Sequence, residues 1–466
     1  MDVEILARVQ FAVTIMFHYI YPPLSIGLGL ILVIIEATYL KTNDPAYLRM
    51  AKFWSKVFAL TFALGVATGI VMEFEFGTNW ATYSRYVGDV FGSALAAEGV
   101  FAFFLESGFL ALMLFGWDRV GKKLHFFSTL MVCLGAHFSA IWIIVANSWM
   151  QTPAGFHVVG EGLNARAEIV DFWAMVFNPS SVDRLIHSVI GAWLAGAFLV
   201  ISVSAYYILK GRHLDFAKRS MKVGLIVAGI SCVLQLISGD HSAKGVAVNQ
   251  PMKLAAFEGI YQTSDHTPLI LFGLPNSKEE RVDYALKVPN LLSIITFGSS
   301  SAQMKGLDQV PAKDRPNVSA VFQTYRLMIL MWVLMAFSTL MAAIYWYRGK
   351  LFETKWLLRL LVASVFFPQI ANQAGWVSAE MGRYPWIVQD LLRISDGLSK
   401  AVTANQVLGS LIMFTFLYFM LFILFIYLLN EKFKHGPEEV ATDATPYRHL
   451  GTYIEELPGT KIKENP

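Results

Sequence analysis

Nine stretches of this chain are apolar over the length a helix needs to cross a bilayer, about 20 residues. They cover 11–35, 57–76, 94–115, 126–149, 186–209, 221–238, 320–346, 356–377 and 408–429. That feature leaves little freedom, because inside hydrocarbon every backbone N–H and C=O must be bonded within the protein, and only helices and closed barrels achieve this. Runs of this length exceed a membrane strand, so the expected fold is all-α: a polytopic bundle of about nine transmembrane helices. Only 15% of the 466 residues are charged, against roughly 25% in soluble proteins. The net charge of +3 is too small to point to nucleic acid. Cys133 and Cys232 both fall inside apolar runs and read as packing, and no C-x-x-C-H occurs for covalent haem attachment.

The organisation follows from the runs. Residues 1–238 hold helices one to six, 239–319 form a polar connection without a span, 320–430 hold helices seven to nine, and 431–466 are a polar tail. The first run follows Asp2, Glu4 and Arg8 without a basic leader or small-residue cleavage site, so it reads as a retained helix. Lys and Arg concentrate after spans one, three, five and seven, for example Lys41, Arg49, Arg119, Lys122, Arg212, Lys218, Arg348 and Lys350. By the excess of basic residues in cytoplasmic loops, the N-terminus is expected outside, the C-terminus in the cytoplasm, and the 239–319 loop on the outer face.

Ionisable residues inside the spans cost about 2.5–3.5 kcal/mol each near the bilayer centre and are functional candidates by default. They are His18, Glu36, Glu73, Glu98, Glu106, His137, His187, Arg326 and Glu380. His18, His187, Met328 and Glu380 are all expected in the outer half of the membrane. Imidazole and thioether are axial ligands of b-type haem, and a His/Met pair suits a six-coordinate, electron-carrying iron; a carboxylate suits a high-spin iron. On the residues alone, this is a membrane redox or proton-handling protein. A proton-coupled secondary transporter and the cytochrome b anchor of a quinol dehydrogenase stay open as alternatives, although no two-fold repeat of broken spans is visible.

Four stretches are more specific. Arg8-Val9-Gln10-Phe11 followed by His18, the run GVATGIVMEFEFGTNW from Gly65 to Trp80, EGVFAFFLESG from Glu98 to Gly108, and WVSAEMGRYPW from Trp376 to Trp386 occur in order. Together they resemble subunit I of the cytochrome bd quinol oxidases over essentially the whole chain, with Tyr384 where that family usually has Gln. The resemblance implies a subunit that oxidises quinol at the outer face and reduces O2 to water without copper, drawing cytoplasmic protons. It implies a low-spin haem b held by His187 and Met328 with Arg326 near its propionates. His18 and Glu380 would serve a high-spin haem b and a haem d, with Glu98 and Trp376 beside them and Arg383 on a propionate or the Glu380 carboxylate. The connection resembles a short quinol-binding loop in which Lys253 and Glu258 contact or deprotonate quinol. Glu106, with Asp118 and Ser139, would lie on the proton route. The implied partners are subunit II and a small single-helix subunit, in the lipid bilayer of a bacterial cytoplasmic (inner) membrane.

Overall fold

Prolines, glycines and capping side chains set where the helices break. In the computed structural model, which describes residues 2–438, α1 (Val3–His18) stops where Tyr19 and Ile20 turn the chain. The next helix, α2 (Tyr21–Thr42), restarts with Pro22 and Pro23 in its first turn, where missing N–H groups break no helical bond. Asn43 then takes a left-handed conformation (φ 54°), and the Asp44 side chain caps α3 (Pro45–Thr78) by accepting from the Ala46 N–H at 2.9 Å. Short α4 (Ala81–Tyr86) and α5 (Gly88–Glu98) run into a π turn, Gly99–Phe103, that continues as α6 (Phe104–Phe115). The chain returns along α7 (Lys122–Gln151), passes short α8 (Phe172–Val176), and forms the hairpin α9 (Ser181–Lys210) and α10 (Leu214–Asn249) around Gly211 at φ 65°. The long connection carries α11 (Pro251–Glu258) and α12 (Leu291–Phe297). Then follow α13 (Val318–Tyr347), α14 (Lys355–Ala363), α15 (Phe366–Met381), short α16 (Ile394–Gly397) and α17 (Ala404–His435).

Among the described residues, nine helical stretches are long and apolar enough to cross a membrane, and each contains one of the expected runs. The first and eighth spans, which Pro22-Pro23 and Pro368 interrupt in the sequence, are broken after His18 and between Ala363 and Phe366. One detail differs from the sequence expectation: α10 runs on to Asn249. The polar residues 239–249 read as loop, but a helix of 36 residues is about 54 Å long at 1.5 Å per residue and outreaches a hydrocarbon core of about 30 Å. Its last turns therefore stand among the connection, in water-accessible surroundings that tolerate Asp240, His241 and Lys244. Of the expected polar tail 431–466, residues 439–466 lie outside the described residues.

The helices alternate between a basic end and a loop end, which holds α11, α12 and three antiparallel strand pairs. These pair β1 (Phe156–Val159) with β2 (Arg166–Ile169), β3 (Leu269–Asn276) with β4 (Arg281–Val288), and β5 (Trp386–Val388) with β6 (Leu392–Arg393). Helices α2 and α9 cross backbone to backbone. A Cβ on Gly27 would lie 2.7 Å from the Gly196 nitrogen, so only small residues permit this approach. Trp54, Phe58, Phe198 and Tyr207 fill the core on the basic side, and the Tyr207 hydroxyl donates to the Phe433 carbonyl at 2.8 Å. The connection has its own small core of Leu254, Phe257, Ile260, Leu292, Met304, Leu307 and Val321. That core fixes α11 against α10 and α13.

Candidate functional site

Helix α9 carries His187, one turn after Arg184, and α10 faces it with Gln235, Ser238 and Gly239. His187 Nδ1 lies 3.1 Å from Ser238 Oγ, and Gln235 Nε2 lies 3.1 Å from His187 Nε2. A Cβ on Gly239 would sit 3.5 Å from the imidazole Cε1, and one on Gly375 of α15 would sit 2.9 Å from the Met328 sulfur on α13. Each expected ligand thus faces a glycine on a neighbouring helix. Arg326, two residues before Met328, is paired with Glu258 at 2.5 Å, while its buried Nε finds no partner among the described residues.

The second cluster joins the broken end of α1 to α15. His18 Nδ1 is hydrogen-bonded to Thr68 Oγ1 at 2.9 Å, leaving Nε2 for a ligand, and Gly69 faces the ring edge. Tyr19 packs edge-on against Trp376 at 5.4 Å between ring centroids, and Gln373 donates to the Met16 carbonyl at 2.7 Å. His18 ends α1 in its last turn. Glu380, one turn past Trp376, accepts from Arg383 Nη2 at 2.6 Å, Asn147 Nδ2 at 3.1 Å and Gln151 Nε2 at 3.2 Å, with Arg184 Nη2 3.9 Å away.

Both clusters fit a large anionic, metal-bearing group such as the haem the resemblance implies. Among the described residues, buried guanidinium nitrogens at Arg184 Nε, Arg326 Nε and Arg383 Nη1 have no partner, and neither do amide atoms of Gln369, Asn372 and Gln373 along α15. A buried N–H left unbonded costs about 1–3 kcal/mol, more when charged, so guanidinium groups aimed this way call for carboxylates such as propionates. Gln235 Nε2 lies 3.1 Å from His187 Nε2 and 3.2 Å from Nδ1, off the outward axis of either nitrogen, and its Oε1 is buried and unbonded among the described residues. Among the described residues no group of three or more His, Cys, Asp or Glu side chains could hold a bare metal ion.

A polar seam runs along α7. Ser139 Oγ donates to Glu98 Oε1 at 2.8 Å, and Gly135 lets Glu106 approach so closely that a Cβ there would lie 2.8 Å from Glu106 Cβ. The π turn makes this possible. Residues eight apart in an α-helix differ by about 80° in direction, but one inserted residue makes them behave as seven apart, about 20°. Glu98 and Glu106 therefore share the face toward α7. Nearer the basic end, His125 and Thr129 of α7 bind Glu36 of α2 at 3.0 and 2.8 Å. His137 is engaged locally, with the Cys133 carbonyl at 2.7 Å and the Trp193 indole N–H at 2.9 Å. Glu73, by contrast, is exposed on the flank of α3.

In the connection, Lys253 and Glu258 are both buried but point apart: five residues along a helix is a rotation of about 140°. Lys253 donates to the Gln151 side chain and, at 2.8 Å, to Gln250 Oε1, while Glu258 faces Arg326. Burial, with the Arg184 and Arg383 charges nearby, holds the Lys253 ammonium well below the usual lysine range.

Sequence reasoning named candidate ligands but passed over the residues around them. Arg184 counts as a loop cation in a topology argument, although its position one turn before His187 marks it. Asn147, Gln151 and Gln250 carry no charge and no motif. His125 and Glu36 lie far apart in sequence, and only the α2–α7 contact joins them.

Residues 6–437 match the family described as cytochrome bd terminal oxidase subunit I. The chain is 39% identical over 444 residues to the cytochrome bd ubiquinol oxidase subunit 1 of Bacillus subtilis, covering 93% of this chain and 94% of that protein. It is 35% identical to the cytochrome bd-II ubiquinol oxidase subunit 1 of Escherichia coli, covering 95% and 98%. The solved bd oxidase structure from Geobacillus thermodenitrificans superposes with a TM-score of 0.86 at 31% identity, covering 94% of this chain and 99% of that one.

Proposed function

The chain belongs to the cytochrome bd terminal oxidase subunit I family, and from that premise we propose how its own residues serve a quinol:oxygen oxidoreductase. His187 and Met328 hold the low-spin haem b, and His18 and Glu380 serve the high-spin haem b and haem d. Bound haem supplies one-electron carriage and the iron at which dioxygen is reduced to water. The observation that carries the ligand assignment is the set of buried guanidinium nitrogens on Arg184, Arg326 and Arg383, unbonded among the described residues, near His187, Met328 and Glu380. Membership of the family sets aside the transporter and dehydrogenase-anchor readings.

Quinol oxidation releases two protons with its two electrons, so a carboxylate within reach of the quinol hydroxyls is required. Glu258 is that acceptor, held in place by Arg326 at 2.5 Å. Lys253 acts one face away: through Gln151 and Gln250 it ties α11 to the residues that hold Glu380. The loop end faces outward, so protons from quinol leave on that side. Protons consumed in water formation enter from the cytoplasm, and each charge moved across stores about 2.3 kcal/mol per 100 mV. Glu106 and then Glu98, ordered along α7, hold and pass them. The enzyme works beside subunit II and a small one-helix subunit in the bacterial inner membrane. Replacing His187 by alanine tests the ligand assignment: the low-spin b signal should vanish with the other haem bands kept. A spectrum like wild type overturns it.

A further inference from the structure

At the basic end of the seam lies a buried acid–base pair that the reaction described so far does not use. Glu36 sits in the last turns of α2 and His125 in the first turn of α7, with side chains 4% and 3% exposed and Oε2 3.0 Å from Nδ1. His125 Nε2 lies 3.1 Å from the Met113 carbonyl, which can only accept, so that nitrogen carries a proton. Glu36 Oε1 is taken by the Thr129 hydroxyl at 2.8 Å. The Oε2···Nδ1 contact therefore holds one proton, placed either on the carboxyl group or on the imidazole.

The pair stands between an exposed acid at the basic end and the acids of the seam. Toward the aqueous side, the Trp117 indole covers the imidazole at 3.7 Å between ring centroids, and Lys52 reaches over that indole. Lys52 also lies 3.7 Å from Asp118, whose side chain is 86% exposed. In the other direction, Thr129 stands on α7 six residues before Gly135, where Glu106 packs, a rise of about 9 Å.

We propose that Glu36 and His125 are the buried proton-loading pair of the cytoplasmic route, feeding Glu106 and then Glu98. A proton arriving from the Asp118 side gives a form in which both groups are donors and their mutual hydrogen bond is lost. Release of one proton by way of the Thr129 hydroxyl toward Glu106 restores the resting pair, so one proton enters and one leaves. Thr129 is a positioning residue: its hydroxyl orients Oε1 and marks the exit. The proposal rests on the reading that substrate protons come from the basic end.

Glu36→Gln separates relay from scaffold. Glutamine keeps the shape, accepts from Thr129 and donates to Nδ1, but cannot give up a proton. In the assembled oxidase reconstituted in vesicles, E36Q should keep its haem bands and its quinol-driven haem reduction. Oxygen consumption, and proton uptake from the side bearing the basic end, should fall together by about 100-fold, the lower end of what a lost acid–base group costs. Turnover and uptake at the wild-type level would make the pair a structural tie between α2 and α7 and overturn the proposal. If E36Q fails to assemble, Thr129→Val decides: slowed uptake with intact haem bands supports the relay, and unchanged uptake overturns it. Glu106→Gln is run alongside. Loss of uptake in E106Q alone removes only the Glu36–His125 pair, whereas unchanged uptake in both removes the cytoplasmic-proton reading itself.

Discussion

Replacing Glu258 by glutamine should uncouple quinol oxidation from the haem sites. The Glu258–Arg326 contact is 2.5 Å, with side chains only 4% and 12% exposed. Two unit charges about 4 Å apart in surroundings of effective dielectric about 20 attract by about 4 kcal/mol. Glutamine restores a hydrogen bond worth about 1 kcal/mol, which leaves Arg326 about 3 kcal/mol worse off, with a guanidinium whose Nε is already unbonded. The variant also lacks the carboxylate proposed to take the quinol proton, and a lost general base costs about 10²–10⁴ in rate. Quinol-driven oxygen consumption should therefore fall at least about 100-fold, while dithionite still reduces every haem. The low-spin haem band should also be lost at a lower temperature on heating. Removing both partners, as in E258Q with Arg326→Gln, should cost less stability than either change alone, because no unpaired charge is left buried. Wild-type turnover in E258Q would refute the assignment of Glu258 as proton acceptor, and an additive double variant would refute the coupling.

Gly375→Val should displace Met328, since even a Cβ would lie 2.9 Å from its sulfur; optical or EPR spectra should show the low-spin haem turning high-spin, with the other bands unchanged. Lys253→Met should alter the pH dependence of stability. The folded-state ammonium titrates well below the usual lysine value, so the unfolded chain binds more protons in that window, and wild-type stability falls as pH drops from about 10 toward the folded value, by about 1.4 kcal/mol per unit. Haem retention on heating, measured from pH 10 downward, should slope in the wild type and flatten in K253M. Glu106→Ala should impair oxygen reduction and assembly of the His18–Glu380 site more than quinol binding, read as turnover against KM for quinol.

The membrane bundle was legible because a bilayer demands long apolar helices, and the candidate ligands His18, His187 and Glu380 stood out because charge and imidazole are rare in such helices. What escaped was relational. The π turn after Glu98 contains only Gly99 as a hint, yet it decides that Glu98 and Glu106 face the same helix. The helix break after His18 was visible as Pro22-Pro23, but its consequence, Tyr19 against Trp376, depends on which helix lies alongside. Lys253 and Glu258 read as one quinol-contacting unit; the helical turn of α11 puts them on different faces. The α7 seam is spelled in Ser, Thr, Asn and Gln, which are common in any membrane helix, and it acquires meaning only from the acids that four other helices direct at it.

The most direct test of the central claim is a dithionite-reduced minus oxidised absorption spectrum of the oxidase purified with its partner subunits. The account predicts b-type bands together with a far-red chlorin band. A folded, partner-bound complex that shows no haem band at all would contradict it.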